Sequence, residues 1–162
     1  MPPRSPLIDD PRLDDVDRAI LRLLQQDGRL TNADLAKQVR LSPSPCLRRV
    51  RALEQDGYIS GYTAVLDPAR LQRSLHVMVM VSLTSQRQEV LESFERAVTG
   101  LDDVLACYLI AGEADYLLTV AVKDLDAYQR LYTHHLGELP GVASMKSLVT
   151  MKAVKASTAL PV

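Results

Sequence analysis

Between Leu35 and Leu53 the chain carries Lys37, Arg40, Arg48, Arg49 and Arg51 and no acidic residue, a local charge of +5 bounded by Asp34 and Glu54. Residues of this kind have a definite chemistry. A guanidinium presents a planar fork of donors that pairs with guanine edges in the major groove of DNA or clamps a phosphate. The overall net charge of −1 over 162 residues conceals this patch. A solvated helix face would carry the same residues, so the elements that position them decide between the two readings.

Three of the arginines fall in LSPSPCLRRVRALEQDG, Leu41 to Gly57. With Ser42 as N-cap, Pro43 takes N1 and Pro45 takes N3, where the missing amides have no intrahelical partner to lose. Ser42 is expected to supply the capping oxygen, and Gly57 ends the helix. At 100° per residue, Cys46, Val50 and Leu53 cluster within roughly 60° and face a core, while Ser44, Arg48, Arg51 and Gln55 cluster on the opposite side. Arg49 lies on one flank and Leu47 on the other. Two shorter helical patterns come before. LDDVDRAILRLLQQDG sets Val16, Ile20, Leu23 and Leu24 at helical spacing behind a capping Asp14, with Gly28 after it. In LTNADLAKQV, Thr31 and Asp34 have capping-box spacing, stapled by Leu30 and Leu35. Three short helices, the last two joined by VRLS and the last basic on its outer face, make a helix-turn-helix. The candidate DNA contacts are Thr31, Arg40, Ser42, Ser44, Arg48, Arg49 and Arg51. YISGYTAVLD, with Gly61 at its centre, predicts a short hairpin or wing.

The texture changes at Leu75. LHVMVMVSL, VLACYLIAG, DYLLTVAVKD and VASMKSLVTMKAV read as strands. QEVLESFERAVTGL and LDAYQRLYTHHLGEL read as helices, the second ended by Pro140-Gly141. The order β-α-β-β-α-β predicts a ferredoxin-like sandwich. Helices cover one face of such a sheet, yet both alternating sets are apolar: Val77, Val79, Val81 and Leu83 against Met78 and Met80, and Ala106, Tyr108 and Ile110 against Leu105, Cys107 and Leu109. A lone chain would leave one face in water, so at least a homodimer is expected. The fold class is thus α+β: a winged helix-turn-helix over residues 13–66, a linker over 67–74 and a ferredoxin-like domain over 75–162, behind a loose, proline-rich tail over 1–12.

Composition excludes several classes. No apolar run approaches the ~18 residues of a membrane span, and MPPRSPLIDDP has no signal-peptide core, so a soluble cytoplasmic chain without membrane partners is expected. Cys46 and Cys107 offer neither a disulfide framework nor metal-ligand spacing and read as small buried hydrophobes. No metal or cofactor site and no catalytic constellation is expected. Adjacent His134 and His135 point about 100° apart and cannot share one ligand. One is expected to pack and one to be exposed, with His76 read as core.

The series LDDVDRAIL, DGRLTNADLA, LSPSPCLRRVRALEQDGYISGYTAVLDP, AGEADYLLTV, LPGV and VKASTALPV resembles the Lrp/AsnC, or feast/famine, transcription regulators from Leu13 to the end. It is especially similar to their leucine-responsive and branched-chain branch. The resemblance implies dimers that assemble to octamers and an amino acid bound between subunits of the second domain. The pocket it implies takes in Leu109, Ile110, Ala111, Gly112, Asp115, Leu125, Leu148, Val149 and Thr150. In LIAGEADYLL the residues themselves offer Gly112 for close backbone approach and Asp115 as an acceptor for an ammonium group, although Gly-Glu-Ala-Asp is also a good hairpin turn in which Asp115 bonds its own backbone. One departure stands out: Arg40 replaces the glycine usual before the Leu-Ser of the turn. If that position requires a positive φ, Arg40 strains the turn by roughly 1 kcal/mol; otherwise it adds a phosphate contact. The alternative of the same architecture is a siroheme-decarboxylase-like enzyme relying on histidine and arginine, against which the basic helix face argues.

Overall fold

Asp14 opens the first helix as a reciprocal cap. Its carboxylate accepts from the Asp17 amide at 2.8 Å, and the Asp17 carboxylate accepts from the Asp14 amide at 3.4 Å. The computed structural model describes residues 12–162, so all but the last residue of the expected 1–12 tail lies outside the described residues. Helices α1 (Asp15–Gln26), α2 (Asn32–Gln38) and α3 (Pro43–Gln55) bury Ile20, Leu21, Leu35, Ala36, Cys46 and Leu53 in one core. Leu30, Val39, Leu41 and Val50 pack around it.

The α2–α3 turn is a Schellman cap. The Leu41 amide donates to the Ala36 carbonyl at 2.9 Å and the Arg40 amide to the Lys37 carbonyl at 3.2 Å. That pattern needs a left-handed residue between helix and turn, and Arg40 takes it with φ 58°. The turn therefore does demand the conformation that glycine adopts freely, and a side chain there costs about 1 kcal/mol.

Beyond α3, Gly57 (φ 79°) reverses the chain. The expected hairpin does not form: residues 59–66 pair with no strand. They are held instead by the Ile59 amide on the Leu53 carbonyl at 3.1 Å and by the Tyr62 hydroxyl on Glu54 at 3.0 Å. A strand needs a partner ladder as well as strand-forming residues, and this segment has none.

The second half follows the expected order: β1 (Leu75–Leu83), α4 (Gln88–Thr99), β2 (Val104–Leu109), β3 (Tyr116–Val122), α5 (Leu125–Leu131) and β4 (Val142–Val149). The antiparallel sheet runs β2-β3-β1-β4. Val77, Val79 and Val81 on β1 and Tyr116, Leu118, Val120 and Val122 on β3 form the buried face beneath Phe94, Val98, Tyr128, Leu131 and Leu136. The Phe94 and Tyr116 rings meet at 4.6 Å between centroids. The helical stripe predicted through 125–139 is not one α-helix: after Leu131 the chain widens into a π-helical turn, Tyr132–Leu136, closed by the Gly137 amide on the Tyr132 carbonyl at 2.9 Å. The other sheet face is open. It carries Met78 (45% exposed), Tyr108 (57%) and Leu148 (43%), with Met80 and Leu117 between them.

Two boundaries differ from expectation. The described residues up to Val65 form one compact unit together with Ala156–Val162, and Leu66–Lys155 form the other. The 67–74 stretch is thus part of the second unit, where Arg73 pairs with Asp103 and donates to the Ala121 carbonyl at 3.1 Å. The end of the predicted 75–162 domain packs with the helices instead.

Candidate nucleic-acid interface and ligand site

On α3 the wheel is realised. Cys46 and Leu53 are buried, whereas Ser44, Arg48 and Arg51 are exposed, and among the described residues no ion pair engages Arg48 or Arg51. Arg49 is different. Its guanidinium donates to Asp14 at 2.8 Å and to Asp17 at 2.7 Å, the two carboxylates that cap α1. The hydrogen bond from the Asp17 amide, assisted by Arg49, holds the Asp14 carboxyl below its ordinary range, and the hydrogen bonds to Asp17 and Asp14 raise the affinity of Arg49 for its proton. An arginine so engaged serves first as a clamp of α3 onto α1. Its wheel position hinted at this, since it lies closer to the apolar cluster than to Arg48.

The other predicted contacts divide similarly. Arg40 and Ser42 are exposed in the turn. Ser42 is the N-cap of α3 but makes no capping hydrogen bond, contrary to expectation. Pro45 occupies N3 and has no amide to donate, so of the two usual donors to an N-cap only the Ser44 amide at N2 remains. Thr31 accepts from the Asp34 amide at 3.2 Å and donates its hydroxyl to the Asp34 carboxylate at 2.6 Å, so the pair is a local cap rather than a fully reciprocal box. This hydroxyl chiefly lowers the Asp34 pKa. One positioning residue escaped the sequence reading: the Asn32 side-chain amide donates to the Pro43 carbonyl at 2.9 Å and ties the first turn of α2 to that of α3. Such a contact, eleven residues away in sequence, leaves no periodic signal.

The predicted ligand residues do not converge within one chain. Leu109 to Asp115 form the β2–β3 hairpin, where the Ile110 amide meets the Asp115 carbonyl and the Asp115 amide meets Val81, near the end of β1. Val149 pairs with Val77, and the Thr150 amide donates to His76 at 3.0 Å, both at the start of β1. Leu125 follows the end of β3, whose Val122 pairs with Leu75. Along β1 the register sets the hairpin, level with Val81, three to five residues from Leu148, Val149 and Thr150, about 10–17 Å at the strand rise of ~3.3 Å, and about 20 Å from Leu125 beyond Leu75. Leu109, Leu125, Leu148 and Val149 are exposed, as are Ala111 and Gly112, whereas Ile110 and Thr150 are half-buried. Apart from its chain neighbours, no atom of the described residues lies within 4 Å of where a Cβ on Gly112 would stand.

Asp115 is already occupied. One carboxylate oxygen accepts from the Leu83 amide at 2.7 Å and the other from the Gln86 side chain at 2.8 Å. It bonds across to the end of β1 rather than within its own turn, fixing the hairpin against the segment after β1.

The remaining chemical candidates scatter. His134 and His135 are both exposed on the π-helical turn, so neither is the packed histidine expected there. His76 is half-buried beside Met78 on the open sheet face rather than in the core, because its register with Ala121 puts it on that side. Cys46 is buried and Cys107 only half-buried; burial raises both thiol pKa values. Among the described residues no cluster of three His, Cys, Asp or Glu side chains is arranged to hold a metal, and no described helix is long and apolar enough to cross a membrane.

Residues 13–60 match the winged helix-turn-helix DNA-binding model, and residues 76–160 match the Lrp/AsnC ligand binding domain. The chain is 47% identical over 148 residues to the leucine-responsive regulatory protein of Escherichia coli K12, covering 91% of this chain and 90% of that one. Among solved structures it is similar to a transcriptional regulator from Neisseria meningitidis in complex with L-Met, at 38% identity and a TM-score of 0.88, covering 92% and 96% of the two chains. It is equally similar to an AsnC family transcriptional regulator from Agrobacterium tumefaciens, at 38% identity and a TM-score of 0.87, covering 92% and 97%. These relatives are regulators, which sets aside the decarboxylase alternative. The chain belongs to the Lrp/AsnC family and is a DNA-binding transcriptional regulator carrying the family's ligand-binding domain, not an enzyme.

Proposed function

We propose that this regulator reads specific sites in double-stranded DNA with the outer face of α3, and that a small apolar amino acid held between subunits modulates its binding. The observation that carries the first half is the division of α3: Arg49 is spent on Asp14 and Asp17, while Ser44, Arg48 and Arg51 stand exposed with no acidic partner among the described residues. Arg48 enters the major groove from the middle of α3, and Arg51, Ser44, Ser42, Arg40 and Thr31 contact phosphates or flanking bases.

The second half rests on the separation of the ligand residues. Because the 109–115 hairpin and the Leu125 and Leu148–Thr150 group lie at opposite ends of one sheet, a pocket built from both takes one group from each of two chains. With both Asp115 oxygens occupied, its part is to hold the hairpin in shape, and the exposed backbone around Gly112 takes the polar end of the amino acid. The curated relative is named for its response to leucine, and one structural relative was solved with L-Met. Both names favour leucine or another branched-chain or apolar ligand.

The open sheet face, with Met78, Met80, Tyr108 and Leu148, supports a homodimer that covers it. A dimer supplies two recognition helices for a two-fold site. Dimers assemble further to an octamer, and the amino acid shifts the population of assemblies or the spacing of the helices. Such a protein works in the cytoplasm, where the DNA is.

The test is binding of the purified protein to the DNA upstream of its own gene across a salt series, with and without L-leucine, L-isoleucine, L-valine and L-methionine. Site-specific, salt-sensitive affinity that one of these shifts is expected. Equal affinity for unrelated DNA, or none, would overturn the reading.

A further inference from the structure

The chain passes between its two compact units twice, once at Val65–Leu66 and again at Lys155–Ala156. The second passage brings Ala156–Val162 onto α1. Gln25 pairs with both backbone groups of Leu160, accepting from its amide at 2.6 Å and donating to its carbonyl at 3.1 Å, as a neighbouring strand would. Arg22 donates to the Val162 carbonyl at 2.8 Å. Val162 packs against the core that also holds Ile20, Leu35 and Cys46. The segment has no helix or strand of its own, and residues 156–161 are exposed. A stretch held by a few solvent-accessible contacts sits at the low end of local stability and opens without global unfolding.

Its upstream neighbour gives the attachment a meaning. The Thr150 amide, on the His76 carbonyl, is the last ladder contact after β4, and Met151–Lys155 that follow are exposed. Five residues therefore join one of the two proposed ligand-contacting groups, Leu148–Thr150, to a segment clasped on α1. Even fully extended, such a connection spans only about 17 Å.

We infer that Ala156–Val162 is a detachable strap that couples the ligand site to the DNA-binding unit, with Arg22 and Gln25 as its catches. With the strap seated, the helix-turn-helix is tethered by two connections instead of one, and the placements open to α3 are fewer. A ligand that shifts the end of β4 pulls or slackens the five-residue connection and changes how often the strap is seated. By reciprocity, occupancy of the strap biases ligand affinity by the same factor. Arg22 and Gln25 are exposed residues of a helix whose buried side is Ile20 and Leu21, so replacing them with alanine removes the catches and leaves the helix intact.

The inference rests on the ligand reading above, and the experiment separates the two. Three proteins are compared: the parent, the Arg22→Ala/Gln25→Ala double variant, and a variant in which Met151–Lys155 is replaced by a protease recognition sequence and then cut. The cut severs the covalent connection and frees Ala156–Val162, which its few exposed contacts do not retain on α1. Affinity for the upstream DNA is measured with and without L-leucine and L-methionine, alongside assembly state by light scattering and amide exchange in α1. The parent is expected to shift its affinity about tenfold with one of the amino acids. Both altered proteins should keep their assembly state and bind within about threefold of the ligand-free parent, yet respond by less than about twofold. Exchange in the second half of α1 should rise in the double variant. A full response in the cut protein, or unchanged α1 exchange in the double variant, would overturn the strap while leaving the ligand site standing. A parent that responds to no amino acid overturns the ligand site itself, and the coupling with it.

Discussion

Arg48 and Arg49 are neighbours on one helix and have opposite duties. Arg49 turns inward to two carboxylates at 2.7 and 2.8 Å and joins α3 to the cap of α1. Arg48, one residue earlier, points to solvent in company with Arg51 and Ser44. A basic run in a sequence is therefore not a count of DNA contacts. Part of its charge is consumed in holding α3 still, and the base-reading role proposed for that helix needs such stillness.

The largest effect that would break this comparison belongs to the outer face. An Arg48→Ala/Arg51→Ala double variant should unfold with the parent's midpoint and bind the upstream site at least about a hundredfold more weakly, roughly 3 kcal/mol. A binding isotherm beside a denaturant melt checks both. Next comes the clamp: Arg49→Ala should lower the stability of the helix-turn-helix unit by about 1–2 kcal/mol, because it strips two charge-assisted hydrogen bonds from a partly exposed site. Urea unfolding reads this, and parental stability would remove Arg49 from the clamp.

The turn offers a gain in stability. Arg40 sits at φ 58°, so Arg40→Gly should stabilise by about 1 kcal/mol by relieving the left-handed strain, a figure that the added freedom of glycine in the unfolded chain reduces. If Arg40 also touches phosphate, the variant loses about one unit of salt slope; if not, the slope is unchanged. The smallest effect is acidic. The folded-state pKa of Asp14 is depressed, chiefly by the Asp17 amide, so its contribution is present above the ordinary carboxylate value of about 4 and is lost as the pH falls through the lower folded value. Thermal melts from pH 5 down to pH 2 should therefore lose stability more steeply in the parent than in Asp14→Asn.

Most of the architecture was legible because its signals are periodic and local. The helical stripe of α1, the opposed faces of α3 and the alternation in β1 each repeat along a single element, and the capping residues mark where elements start. The strained turn was legible as a condition, and φ at Arg40 meets it. What escaped depends on partners distant in sequence. Tyr58 to Leu66 has strand-forming residues and no ladder to join. Arg49 finds carboxylates 35 and 32 residues away, and Gln25 finds Leu160 across 135 residues. The ligand residues were legible one by one; that they fall into two groups at opposite ends of the sheet follows only from the register of β1 against β3 and β4.

The division of α3 is tested most directly by salt dependence. Affinity for the upstream DNA would be followed from low to high salt for Arg51→Ala and Arg49→Ala beside the parent. Arg51→Ala should flatten the slope of log K against log salt by about one, whereas Arg49→Ala, its charge already neutralised by Asp14 and Asp17, should leave the slope unchanged. A flattened slope in Arg49→Ala with a parental slope in Arg51→Ala would reverse the assignment of the two faces.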